Sequence, residues 1–182
     1  MSQLKVNSIV PVGGLPSGSN GGIIQTVQTV KTNVQSTTSS SMIDISGMSV
    51  AITPSSNSNN VLIMVSLNYG GDSNMYAAVN LLRGSTVLTK GDEDFNTQTE
   101  CTFGIGGDNS NFQYKMGSAS YSFLDTGIAT TSETTYKLQI QATGASGQRV
   151  VINAPYEGGY QQENEAYSMR GTSTITVFEV SA

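Results

Sequence analysis

Short segments that alternate apolar and polar residues run along most of the chain, separated by turn-forming residues at intervals of about 8–12 positions. The clearest is TTYKLQIQAT, in which Tyr136, Leu138 and Ile140 share one face. Alternation with a period of two is typical of a strand that buries one face within a sheet. Residues 75–82 fit a short helix in isolation, but their neighbours are strand-like. The chain is therefore predicted to be all-β.

This spacing predicts a β-sandwich or jelly roll of about ten strands, preceded by an extended N-terminal arm. We place the arm at residues 1–33 and the sandwich at residues 34–182. In the arm, Pro11 and the glycine steps after it prevent a regular element, whereas IIQTVQTVKT alternates as a strand. Further on, VLIMVSLN predicts a central strand buried on both faces, STTSSS predicts a flexible connection, and a hairpin turn is expected at residues 83–86.

Composition narrows the classes of partner. The net charge is -5 and the eight Lys and Arg residues are scattered, which excludes a basic nucleic-acid surface. No apolar run reaches the roughly 20 residues of a membrane-spanning helix, and the N-terminus lacks the pattern of a secretory signal. We expect synthesis in a cytoplasm and no membrane insertion. Cys101 is the only cysteine, so an intrachain disulfide is excluded and a small buried side chain is expected.

Few side chains in the sequence are candidates for catalysis or metal binding. Histidine is absent, which excludes nucleophiles that histidine activates. The acidic runs GDED and QENE could supply paired carboxyls for glycoside hydrolysis, but adjacent loop acids are commonly solvated turn residues. We expect no catalytic residue, no cofactor and no metal site, although calcium stays open because oxygen ligands recur in glycine-rich loops without EF-hand spacing. The candidate calcium ligands are Asp72, Asp92, Asp94 and Asp108.

Three tyrosines, Tyr156, Tyr160 and Tyr167, flank or interrupt a loop rich in Gln, Asn and Glu. Tyrosine rings beside amide side chains can hold sugars by stacking and hydrogen bonding. The same rings could instead cover the edge of the core beneath a long loop. Both interpretations remain open at this point.

The opening stretch LKVNSIVPVGGLPSGSNGGIIQTVQTVKT resembles the start of virion structural proteins and tail fibres of marine tailed bacteriophages, especially those that infect cyanobacteria. The segments DISGMSVAITPSSNSNNVLIMVSL, YSFLDTGIATTSETTYKLQIQA and RGTSTITVFEV are similar to a β domain at the tip of such fibres. The resemblance implies a jelly roll, a homotrimer and a location in the virion. The strands over residues 61–67 and 174–180 are then candidates for the trimer interface.

Within this resemblance, the arm is expected to attach the chain to other virion proteins by adding strands to the sheet edge of a neighbouring chain. The expected attachment residues are Leu4, Val6, Ile9, Ile23, Ile24 and Val27. The distal loops are expected to contact the host, through a surface polysaccharide or an outer-membrane protein. The expected receptor contacts are Asp108, Tyr156 and Tyr160.

Two virion roles fit these expectations. A short tail fibre or tail appendage is favoured by the similarity of the arm. A head decoration or cement protein is favoured by the short chain, because fibres usually carry a longer shaft. A polysaccharide depolymerase is disfavoured, since histidine is absent and no β-helix repeat is present.

Overall fold

The structure, a computed structural model, describes residues 22–92, 98–107, 114–144, 147–156 and 169–182. This part of the chain contains eleven β-strands and no α-helix. The strands are β1 (Ile23–Lys31), β2 (Gln35–Thr37), β3 (Ile43–Ile52), β4 (Asn60–Gly71), β5 (Tyr76–Arg83), β6 (Thr86–Val87), β7 (Phe103–Gly106), β8 (Gly117–Asp125), β9 (Thr134–Ala142), β10 (Val150–Ile152) and β11 (Ser173–Val180). Among these residues, none forms a helix with the length and apolar character needed to cross a membrane.

The strands form two antiparallel sheets. In the first, the order is β1-β11-β4-β10-β2, with β8 also paired to β4. Tyr69 of β4 pairs with Gly117 of β8 and with Ile152 of β10, so β8 and β10 lie on opposite edges of β4. β11 also lies opposite β8, and β10 therefore continues the line of β11. The sheet is thus four strand positions wide. β1 and β2 share the first position, β11 and β10 share the second, β4 is the third and β8 is the fourth.

The second sheet has the order β3-β9-β5-β6, with β7 also paired to β5. β6 and β7 share the edge of β5 that β9 does not occupy. Counted along the chain, the eight positions are arranged 1-8-3-6 in one sheet and 2-7-4-5 in the other. This is the strand order of a jelly roll built from two Greek keys. The predicted all-β sandwich is confirmed.

The core lies between the sheets and follows the alternation of the strands. Tyr136, Leu138 and Ile140 of β9 are buried, as their spacing predicts. The inward residues of β4 pack against them, among them Ile63 and Leu67, which have no exposed surface. Each buried aliphatic side chain contributes roughly 1.5–3 kcal/mol of transfer free energy, so this shared interior is the main source of stability.

The structure confirms one of the predictions for individual segments and corrects the others. The hairpin is confirmed, because Arg83 pairs with Thr86. The helical alternative for residues 75–82 is wrong, since this segment holds β5. The expectation that STTSSS is a flexible connection is wrong for its first two residues, because Ser36 and Thr37 belong to β2 and pair with β10. The expectation that residues 61–68 are buried on both faces is also wrong, because Met64 is 48% exposed on the outer face.

The N-terminal boundary of the sandwich differs from the sequence-based assignment. Residues 23–31, placed in the arm by the sequence pattern, form β1 and pair with β11 from Lys31↔Ser173 to Ile23↔Val180. Val27 packs against the core. The sandwich therefore begins at residue 23, because this strand finds its backbone partners 150 residues away in the same chain. Residues 1–21 lie outside the described part, and for them the arm stays a prediction.

Candidate functional site

The jelly roll has two ends, and β4 spans the distance between them. Its first residue, Asn60, pairs with Val180, and its last, Gly71, pairs with Val150. The eleven steps between its twelve residues, at about 3.3 Å each, give a separation of roughly 36 Å. We call the end at Asn60 the terminal end and the end at Gly71 the loop end.

The terminal end carries both ends of the described chain. Ser181 N donates a hydrogen bond to Gly22 O at 2.9 Å, beside the first residue of β1. Residues 1–21 are therefore attached at this end. Of the predicted attachment residues, Leu4, Val6 and Ile9 lie outside the described residues. The other three, Ile23, Ile24 and Val27, belong to β1, with Ile23 and Ile24 exposed and Val27 half-buried.

A buried carboxylate fastens β1 at the terminal end. The side chain of Glu179 on β11 has no exposed surface and accepts four hydrogen bonds. Gln25 Nε2 and Asn59 Nδ2 donate at 2.6 Å, and Ser55 donates through its backbone N and its Oγ at 2.7 Å. Burial by itself raises the pKa of Glu179, but these hydrogen bonds outweigh it and lower the pKa to about 2. The carboxylate therefore ties β1, the β3–β4 turn and β11 together.

A second buried carboxylate lies at the same end. Arg83 Nη1 is 2.8 Å from both carboxylate oxygens of Asp125, and Tyr136 donates its hydroxyl to Asp125 Oδ2 at 2.8 Å. Gly127 N adds a bond of 3.0 Å to Oδ1. Burial, and then the adjacent Asp125, raise the pKa of Tyr136 above its ordinary value. The hydroxyl thus stays a donor, and the cluster joins β5, β8 and β9.

The far end of β1 is held by a buried lysine and a buried asparagine. Lys31 Nζ donates to Asn33 Oδ1 at 2.9 Å and to Ser46 O at 2.8 Å, and burial lowers the pKa of this amine. Asn153 Nδ2 donates to Lys31 O at 2.8 Å, while Ser173 Oγ donates to Asn153 Oδ1 at 2.6 Å. Asn153 has φ of 68°, a left-handed conformation that asparagine tolerates. These contacts satisfy the backbone where the β1–β2 line and the β11–β10 line break.

The loop end is organised around the β4–β5 turn. Asp72 Oδ2 accepts a hydrogen bond from Arg149 N at 2.6 Å, and Asp72 N donates to Arg149 O at 3.0 Å. The Arg149 guanidinium lies over the Tyr156 ring, 5.5 Å from its centroid, in a cation–π contact. Tyr156 is half-buried and held in place. The other two predicted receptor contacts, Asp108 and Tyr160, lie outside the described residues.

The predicted ion ligands are not brought together within the described residues, where no group of three acidic, cysteine or histidine side chains could hold a metal. Asp72 is engaged with the backbone of Arg149. Asp94 and Asp108 fall outside the described ranges, as do the acidic residues of QENE. Cys101 is a free thiol and half-exposed, so the expectation of a buried cysteine is wrong.

Sequence reasoning missed the buried polar anchors at both ends of β1. A signal for them was present. Glu179 has the same parity as Ile175 and Val177 in STITVFEV, and Lys31 closes the alternating segment IIQTVQTVK. A charge at an inward position of a strand is costly unless it is paired or hydrogen-bonded. Such a position therefore marks a buried polar cluster, although not its partners.

No protein-family model matches the chain, and no curated protein matches it. Solved structures similar to it include infectious bursal disease virus of the Gt strain and of the Gx strain, with 12% and 14% identity and TM-scores of 0.44 and 0.41. The crystal structure of the VP2 subviral particle of the same virus has 14% identity and a TM-score of 0.37.

Each of these matches covers 95% of this chain but only 42–43% of the other. The chain thus spans about two fifths of the length of the structures that it resembles.

Proposed function

We propose that the chain is a non-enzymatic structural component of a tailed-bacteriophage virion, a short tail fibre or tail appendage. Its N-terminal arm anchors it to the particle, and its loop end faces the host surface. The observation that supports this most is the separation of the two ends. The arm is attached beside Ser181 at the terminal end and Tyr156 lies against Arg149 at the loop end, so the length of β4, roughly 36 Å, separates the two ends.

The arm needs a partner outside its own domain. Ordering the backbone of about 21 residues costs on the order of 20–40 kcal/mol. Addition to a sheet edge supplies backbone hydrogen bonds together with apolar burial. Within the described residues β1 pairs with β11 alone, so the edge strand of one copy offers such an edge to the arm of a neighbour.

The outer face of the first sheet supports contact between copies of the chain. Phe178, Leu62 and Leu124 lie side by side across β11, β4 and β8, and Met64 is in the next row. Met64 and Leu124 are 48% and 46% exposed. Contiguous exposed apolar side chains mark interaction surfaces, and closed symmetry would bury the same patch on every copy. We propose that this face forms the homotrimer contact.

The test is a deletion of residues 1–21 that retains Gly22 and all of β1. A deletion to residue 25 would also remove Gln25, which hydrogen-bonds to Glu179. The shortened chain is expected to unfold at the same denaturant concentration as the full chain and to be absent from purified particles. The matched control carries residues 1–21 in scrambled order, which keeps the length and composition. A folded deletion variant present in particles at full occupancy would overturn the anchoring role.

The same anchoring geometry serves a head decoration protein, and electron cryomicroscopy of intact particles separates the two roles. Density at the tail, in low copy number, supports the appendage. Density repeated over the capsid surface supports the decoration protein and removes the receptor role. The host ligand in the first case is a surface polysaccharide or an outer-membrane protein, contacted at the loop end.

A further inference from the structure

An open groove of about 670 Å³ lies on the outer face of the second sheet, toward the loop end. Two cross-strand pairs lie along it, Ala78 with Gly104 and Tyr76 with Gly106. The rest of the groove is lined by Gln98, Thr99, Cys101 and Thr143. The volume is within the range of about 300–1,000 Å³ that is typical of small-molecule sites.

Glycines on β7 create this space. A Cβ added to Gly104 would have Ala77 O, at 4.0 Å, as its nearest neighbour, so the volume above this position is open. A Cβ added to Gly106 would lie 3.1 Å from Tyr76 Cδ1, which places the tyrosine ring alongside this glycine. Tyr76 is 51% exposed. The groove therefore presents one supported aromatic ring beside a strand surface without bulky side chains.

The lining is polar and uncharged. Thr99 and Thr143 carry hydroxyls and Gln98 carries an amide, and among the residues that the structure describes no Lys, Arg, Asp or Glu lines the groove. The described lining residues offer a charged ligand no counter-charge, and the net charge of -5 disfavours anions. A neutral saccharide fits this chemistry, because its ring has apolar C–H faces that stack on an aromatic ring and hydroxyls that exchange hydrogen bonds with amides and hydroxyls.

We propose that this groove binds a neutral saccharide unit of the host surface, with a sugar ring against Tyr76 and its hydroxyls beside Gln98, Thr99 and Thr143. The inference rests on the proposed function, since it assigns a ligand class to the loop end. It moves the main receptor contact from Tyr156 to the outer face of the second sheet. Tyr76 lies at the same end, because β5 begins four residues after Asp72.

Cys101 provides a reporter, because it is the only cysteine of the chain, lines the groove and is half-exposed. The rate at which uncharged N-ethylmaleimide alkylates the thiol of the full-length protein is measured with cellobiose, maltose, chitobiose or N-acetyllactosamine. Sorbitol, a polyol without a ring, is the control for solvent effects. At least one disaccharide is expected to slow alkylation several-fold in a saturable way. If none slows it more than sorbitol does, the proposal is overturned.

Two variants test the site itself, with saturation-transfer NMR of the sugar as a second measurement. Gly104→Val fills the groove where the added side chain meets open space, and Tyr76→Ala removes the ring. Both are expected to weaken binding by about tenfold or more, a loss of the size expected for one good contact. Tyr114→Ala is the matched control, since Tyr114 is exposed but does not line the groove. Unchanged binding by folded Gly104→Val protein would overturn the site.

The outcomes also separate this inference from the proposed function. Both sugar measurements use the isolated protein, whereas the virion role is read from intact particles. Protection of Cys101 together with density on the capsid would support the groove and overturn the appendage. Density at the tail without protection by any disaccharide would support the appendage and overturn the groove.

Discussion

Replacing Glu179 by glutamine is expected to lower the free energy of unfolding by about 3 kcal/mol at neutral pH. The buried carboxylate accepts four hydrogen bonds, from Gln25, Asn59 and Ser55. Glutamine replaces one acceptor oxygen with an NH₂ group, which then faces donors and leaves at least one of them unpaired. Chemical denaturation followed by far-ultraviolet circular dichroism measures the loss, since the chain has no tryptophan.

The pH dependence gives this prediction a sharper form. The pKa of Glu179 falls from 4.5 to about 2 on folding, which corresponds to about 3 kcal/mol. Because the folded pKa is the lower one, this stabilisation is complete above about pH 4.5 and is lost as the pH falls toward 2. The wild-type chain is expected to lose stability in this window, and Glu179→Gln protein is expected to lose about 3 kcal/mol less over the same range.

Asp44 supplies the matched control. Its carboxylate accepts hydrogen bonds from Lys137 and Gln139, and these contacts lower its pKa, but its side chain is 55% exposed. Asp44→Asn is therefore expected to cost less than about 1 kcal/mol. Equal losses in the two variants, or parallel pH profiles for the wild type and Glu179→Gln, would show that burial of the Glu179 cluster adds nothing.

The second large effect is expected from Gly70→Ala, at about 3 kcal/mol. An added Cβ would lie 2.2 Å from Pro155 O, 2.4 Å from Ala154 O and 2.5 Å from Pro155 Cα. All three atoms belong to the backbone, so no side-chain rotation relieves the clash. The segment after β10 must move away from β4, and this segment also positions Tyr156 over Arg149.

Gly104→Ala is the control for this prediction, because it adds the same methyl group where the nearest atom is 4.0 Å away. Its effect on the free energy of unfolding is expected to stay within about 0.5 kcal/mol. The measurement is the denaturation midpoint of each alanine variant, compared with that of the wild-type chain. A Gly70→Ala protein as stable as Gly104→Ala would mean that the segment after β10 does not approach β4 as closely as these distances state.

The inward faces of the strands were predictable because alternation is a local property. Tyr136, Leu138 and Ile140 are two residues apart, and a pleated backbone turns all three to the same side whatever lies opposite. Met48, Val50 and Ile52 follow the same rule. The hairpin at Arg83 and Thr86 was equally accessible, since its two strands are joined by a tight turn.

The candidate sites were less accessible to sequence reasoning. Tyr156 could be proposed from the composition of its own loop, but its cation–π partner Arg149 could not. The saccharide groove brings together Tyr76, Gly104 and Thr143, which are separated by tens of residues and carry no shared motif. Only the register of β5 against β7, which pairs Tyr76 with Gly106, places Gly104 two residues further along β7 on the same face.

The alternating residues were enough to establish an all-β chain, the buried face of most strands and a sandwich as the fold class. They could not say which strands pair. IIQTVQTVK has the same local pattern whether it belongs to an arm or to a sheet, and its pairing with β11 follows from contacts 150 residues apart. Side-chain periodicity is a property of each segment alone. The backbone partner of a strand and the hydrogen-bond donors of Glu179 depend instead on which distant segments the folded core brings together.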